Sequence, residues 1–170
     1  MSATPQSETD HEATGRADIA RALDVSEYVS DAAGEVWALM GRLFFTHGRP
    51  RFPAIAQELD LHPGQAMMLR MLSEPRTMSE LAVAMQCDNS NITGIVDRLE
   101  ERGLVERQPA EGDRRVKRIA ITRAGSRLRD ELHRRLAVPP EPLTRLSAAD
   151  LRTLRGILAK VTGEPGHPGE

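Results

Sequence analysis

Cysteine is almost missing from this chain. Its one thiol, Cys87, has no partner for an intramolecular disulfide, which excludes a disulfide-stapled scaffold and a cysteine-rich zinc motif and fits a reducing compartment. Histidine is sparse and scattered: His11, His47, His62, His133 and His167 are too far apart for a ligand pair such as H-x-x-x-H, so no metal or other cofactor is implied. No apolar run approaches the roughly 18 residues that span a bilayer. The start, MSATPQSETDHEATG, has neither a basic n-region nor an apolar h-region, so a soluble, cytoplasmic protein without a membrane partner is expected. A Gly-rich phosphate loop, a G-x-S-x-G elbow and a paired acidic motif are all lacking, which argues against an enzyme. Lysine occurs only as Lys117 and Lys160, leaving the positive charge to arginine.

What is present is enough for one real core: 170 residues, 39% of them hydrophobic. The net charge of -2 conceals a gradient. Residues 1 to 35 carry eight acids against Arg16 and Arg21, a balance of -6, whereas residues 114 to 135 carry nine bases against Asp130 and Glu131, a balance of +7. Such asymmetry suits a polyanion bound on one face, although a genome rich in arginine codons would also raise the arginine count. The densest part is AEGDRRVKR, where Arg114, Arg115, Lys117 and Arg118 follow a Glu-Gly-Asp turn.

Residues 1–16 and 163–170 have the polar or Gly/Pro-rich composition of disordered tails. Between them the apolar spacing is mostly helical. Val29, Ala33, Val36, Trp37, Met40, Leu43 and Phe44 predict a long helix over about 26–45, and PAIAQELD a short one after Pro53. LHPGQAMMLRML reads as a helix with His62 as N-cap and Pro63 in its first turn. Thr77 and Glu80 stand at capping-box spacing. After a turn at Gln86 and Cys87, Asp88 can cap a second helix, NSNITGIVDRLEERG, closed by Gly103. Two short helices joined by a tight turn are a helix-turn-helix candidate. The second buries Ile92, Ile95, Val96 and Leu99, leaving Ser90, Asn91, Gly94, Asp97, Arg98 and Glu101 on other faces. Short polar side chains near its N-terminus are what a helix entering a major groove requires. LVERQ and RRVKRIAIT then alternate as a hairpin around Glu111-Gly112-Asp113. Helices follow from Thr122 to before Pro139 and, capped by Ser147 and Asp150, to Gly163.

Positions 81 to 125, LAVAMQCDNSNITGIVDRLEERGLVERQPAEGDRRVKRIAITRAG, resemble the MarR family of bacterial transcriptional regulators in their L-A, T-x-x-V-D-R-L-E-x-R-G-L-V-x-R and D-R-R elements. The resemblance extends more weakly over residues 26 to 162. It implies a mostly α fold: a winged helix-turn-helix with a two-stranded β wing, framed by N- and C-terminal helices that intertwine as the base of a homodimer. The implied division is an N-terminal dimerisation region at 17–61, a DNA-binding domain at 62–122 and C-terminal dimerisation helices at 123–162. The leftover apolar faces of the first and last helices independently call for a partner. The implied partner is a double-stranded, pseudo-palindromic DNA operator, with helix 88–102 in the major groove and the wing, 104–121, in the minor groove. Ser90, Asn91, Thr93 and Arg98 stand at contact positions; Arg114, Arg115 and Lys117 belong to the wing, where Asp113 would hold one arginine by a charge-assisted hydrogen bond. The plainer alternatives are that Thr93 back-bonds within its helix, that Asp97 pairs on a solvated face, and that Arg115 is only the partner of Asp113. A winged helix used for protein contacts is the rival reading of the whole.

Family members often respond to small phenolic or aromatic ligands. Candidates by position are Trp37, Met40 and Phe44 with His62, Met68 and Met71, although such a stripe is more often core. Ala66 stands where relatives carry a larger side chain, opening a cavity or leaving space for Phe44 or Trp37. Cys87, beside a helix N-terminus, invites a redox-sensor reading against the simpler one of a small turn residue.

Overall fold

The structure is a computed structural model that describes residues 25, 28–110 and 113–163; the side chains of residues 110 and 113–116 lie outside that description. The tails 1–16 and 164–170, and the expected hairpin tip at Glu111 and Gly112, also lie outside it. The chain divides into two units, Met1–Ala137 and Val138–Glu170.

In the first unit, helix α1 runs Ala32–Leu43 and continues as a π-helical turn, Phe44–Gly48. Its start is later than apolar spacing suggests because Asp31 caps it, accepting from the Gly34 N–H at 2.7 Å. Helix α2, Arg51–Glu58, begins two residues before Pro53; in a first turn the proline's missing N–H breaks no helical bond. Helix α3, Pro63–Met71, has the expected His62 cap, reinforced by Gln65, whose Oε1 accepts from the His62 N–H at 2.8 Å. Strand β1 is only Arg76–Thr77. Helix α4, Met78–Met85, follows with the Thr77/Glu80 capping box, and α5, Asn89–Glu101, with Asp88 as its cap. Strands β2, Val105–Ala110, and β3, Asp113–Ile121, make the wing, and α6 runs Arg123–Ala137.

The sheet has the order β1-β3-β2, all antiparallel. The expected two-stranded hairpin therefore gains a third, two-residue strand, with Arg76 opposite Ile119 and Thr77 opposite Arg118. Pro109 is tolerated because β2 is an edge strand and its register shifts at Pro109/Ala110. The core lies where α3, α4, α5 and the wing base meet. Met68, Leu69, Leu72, Leu81, Ile92, Val96, Leu99, Ile119 and Leu132 are all completely buried. Gly103, at φ +66°, ends α5 and turns the chain into β2, a conformation that glycine adopts without the steric cost of a Cβ.

In the second unit, α7 is the single turn Glu141–Thr144 and α8 runs Ala148–Thr162, capped by Ser147 and stopped by Gly163 at φ +70°. Among the described residues no helix is long and apolar enough to cross a membrane.

Candidate nucleic-acid interface

Helix α5 owes its orientation to one buried stripe. Ile92, Val96 and Leu99 enter the core completely and Ile95 partly, so the opposite face, carrying Ser90, Asn91, Thr93, Gly94 and Arg98, is exposed. The N-terminus of α5 is held open by its cap. Asp88 Oδ1 accepts from the Ser90 hydroxyl at 2.5 Å and from the Asn91 N–H at 2.8 Å. These two bonds, the Ser90 one first, hold the Asp88 carboxyl below its usual value of 3.8. The capping contribution is therefore complete above that value and lost only as pH falls through the lower, folded-state one.

The exposed residues differ in what they leave free. The Ser90 hydroxyl is spent on Asp88. Thr93 does back-bond, its Oγ1 donating to the Asn89 carbonyl at 2.8 Å, which leaves its methyl and lone pairs outward. Among the described hydrogen bonds none engages the Asn91 side-chain amide or the Arg98 guanidinium. On the wing, Lys117 and Arg118 are exposed; Arg114 and Arg115 belong to β3, but their side chains, like that of Asp113, lie outside the described residues.

One arginine escaped the sequence reading. Arg107, on β2 opposite Ile119, reaches under α5, where its guanidinium bonds Asp97 Oδ1 at 2.5 Å and also pairs with Glu100. The Asp97 hydrogen bond, with the Glu100 charge behind it, raises the Arg107 pKa further. The available sign was the spacing: Asp97 and Glu100 lie three apart on one helix face, and Arg107 is the next strand's third residue. Asp97 thus pairs across elements and not with its own helix. A second arginine, Arg102 at the end of α5, binds Asp60 in the turn before α3, donating to its carbonyl and lying 3.3 Å from its carboxylate. Asp60 has φ +54°. The recognition-type helix is therefore fastened on both sides of its C-terminal half, while its N-terminal half projects.

The six candidate effector residues are not gathered into one site. Met68 is wholly inside the core and His62 is spent as a cap, its Nδ1 accepting from the Gly64 N–H at 3.2 Å. Trp37 is 74% and Phe44 58% exposed, whereas Ala66 is fully buried. Met40 lies exposed on α1 and Met71 half-buried at the end of α3. One shallow hollow is lined by Leu39, Arg42, Leu43, Thr46 and His47; another by Gln57, Asp60, Leu61, His62, Gln65 and Arg102. Of the six, only His62 lines either. Cys87 is free and half-buried in the turn between α4 and α5.

Comparison with known proteins points the same way as this geometry. The MarR family model matches residues 61–117, which span α3 to the returning wing strand. MarR from E. coli in its apo form is 25% identical, covering 71% of this chain and 95% of its own, with a TM-score of 0.55. A MarR-family regulator from Rhodococcus sp. RHA1 is 26% identical over 78% of this chain and 97% of its own, with a TM-score of 0.52. A MepR variant from S. aureus bound to an oligodeoxyribonucleotide shares the fold at 18% identity, covering 79% and 98%, with a TM-score of 0.50. The matched stretch, residues 61–117, holds the helix-turn-helix with its braced, exposed second helix and most of the basic wing, and in this stretch the chain is similar to the MarR family of transcriptional regulators.

Proposed function

We propose that the protein is a homodimeric repressor that binds a pseudo-palindromic operator, laying α5 in the major groove and the β2–β3 wing in the minor groove. The observation that carries this is the division of α5: its inward face is core, while Ser90, Asn91, Thr93 and Arg98 stand exposed at its free end. Asn91, whose amide is engaged by no hydrogen bond among the described residues, carries a group of the kind that pairs with adenine edges, and Arg98 suits a phosphate or a guanine. Lys117, Arg114 and Arg115 are assigned to the wing contact, where guanidinium is drawn to the negative potential of a narrow minor groove. Arg107 serves this reading indirectly, by holding wing and helix at one spacing. MepR, a relative in fold, is solved with an oligodeoxyribonucleotide, which accords with it.

Support for the dimer is the apolar surface left bare. Val36, Trp37, Leu39, Met40, Leu43 and Phe44 on α1 are all exposed, and so are Leu151, Ile157, Leu158 and Val161 on α8. Sedimentation is expected to give a dimer at micromolar concentration; a stable monomer would refute this part. Twofold symmetry then places the two α5 helices about one DNA turn apart. Relief of binding by a small aromatic ligand completes the reading, with Trp37, Met40 and Phe44 contributing once a second subunit covers them.

Titration of the protein's own upstream intergenic DNA by fluorescence anisotropy tests the whole. Tight binding to a palindrome there, over an unrelated duplex, is expected, and equal affinity for both would sink it. Arg98→Ala and Arg114→Ala are each expected to weaken binding and to lower the slope of log affinity against log salt by roughly one counterion. An unchanged slope removes that arginine from the phosphate contacts.

A further inference from the structure

Gly94 stands in the middle of α5, where glycine weakens a helix relative to alanine by its extra backbone freedom. The fold gives no reason for it. A Cβ built on Gly94 would meet no atom within 4 Å, and Gly94 is not among the residues of positive φ. Gly103 and Gly125 do have reasons, a φ of +66° and a Cβ that would lie 2.0 Å from the Leu104 carbonyl oxygen; Gly41 in α1 and Gly156 in α8 are as open as Gly94, but only Gly94 lies on the helix that the groove reading sets against DNA. At about 100° per residue Gly94 falls on the side of α5 opposite Ile92, Val96 and Leu99, flanked by Ser90, Asn91, Asp97 and Arg98. The centre of the most exposed face of the helix is thus bare backbone.

We propose that Gly94 is a specificity-determining residue, kept free of a side chain so that the major-groove edges of the operator bases approach the α5 backbone more closely than a Cβ permits. This rests on the groove reading above. With Gly94 bare, Asn91 on the turn before it and Arg98 on the turn after reach the base edges together. A methyl at Gly94 would lift the helix off the groove floor and lengthen all of those contacts at once.

The consequence has two signs. Gly94→Ala is expected to raise the melting temperature by about 2–4 °C, since it restores helix propensity and touches nothing. The same change is expected to weaken operator binding about tenfold, the loss of roughly one good base contact, while a scrambled duplex of equal length, held through its phosphates, changes less than about threefold. Gly94→Leu, another good helix former, should retain the fold and weaken operator binding further. Thermal melts and anisotropy titrations of the unmodified protein and both variants decide it. If the unmodified protein does not prefer the operator, the groove reading itself fails. If it does and Gly94→Ala binds equally well, only the role of Gly94 falls. Equal losses on both duplexes would move the close approach to the phosphates and overturn the base-edge assignment, and a lowered melting temperature would show that the fold needs the glycine after all.

Discussion

Gly125→Ala is expected to destabilise the protein severely, although the same substitution inside an open helix gains about 1 kcal/mol. Gly125 is buried in the first turn of α6, and a Cβ there would lie 2.0 Å from the Leu104 carbonyl oxygen, 3.0 Å from its carbon and 2.8 Å from Ile121 Cγ1. The first two are backbone, and they cannot retreat cheaply. The Leu104 carbonyl already accepts from the Thr122 N–H at 3.1 Å. The Thr122 hydroxyl meanwhile donates to the Gly103 carbonyl at 2.7 Å and accepts from the Gly125 N–H at 3.1 Å. Moving α6 away breaks this junction, which joins the end of α5 to the start of α6. Overpacking costs about 1–3 kcal/mol where flexible side chains absorb it, and a backbone clash belongs at the upper end or beyond. A fall in melting temperature of roughly 5–10 °C is expected, read by circular dichroism. A melting temperature equal to or above that of the unmodified protein would show that the junction relaxes freely.

That junction was only partly legible in the sequence. Thr122 could be marked as a helix start because capping is local: an acceptor side chain next to the first free N–H groups suffices. The same locality made Thr77 with Glu80, Asp88, His62 with Pro63, and Ser147 with Asp150 readable, and each is a cap in the structure. The closeness of Gly125 to Leu104 depends instead on how two helices and a strand meet, and no spacing encodes it. Strand β1 escaped for a different reason, since two residues are too short to show alternation. The effector candidates illustrate the limit for sites. Met68 and Trp37, from two different helices, are grouped as effector candidates by their position in the resemblance, yet one is wholly buried and the other 74% exposed. Spacing identifies which residues share a face, and only packing decides what that face meets.

Arg107 marks the same boundary and carries the largest functional expectation. It lies on β2 and pairs with Asp97 and Glu100 of α5, so a contact across elements sets the distance between the two parts proposed to enter two grooves. All three side chains keep substantial exposure, 30% for Arg107 and 49% and 38% for its partners, so solvent screens the pairs. Each then adds at most about 1 kcal/mol of stability. Arg107→Glu replaces both attractions by repulsions and should cost a few degrees of melting temperature, not the fold. Operator binding should suffer far more, by about a hundredfold: the wing loses its fixed spacing from α5, and the change subtracts two units of positive charge close to the phosphates. Two mechanisms are mixed in that loss, and a second variant separates them. The double change Asp97→Asn with Glu100→Gln removes two negative charges from α5 while leaving Arg107 intact. Pure electrostatics requires this variant to bind DNA more tightly, whereas a brace requires it to bind more weakly, about tenfold, with the salt slope unchanged because no phosphate contact is lost. Tighter binding by the double variant would show that Arg107 acts only by masking charge, and a salt slope lowered by about one counterion in Arg107→Ala would make it a direct DNA contact.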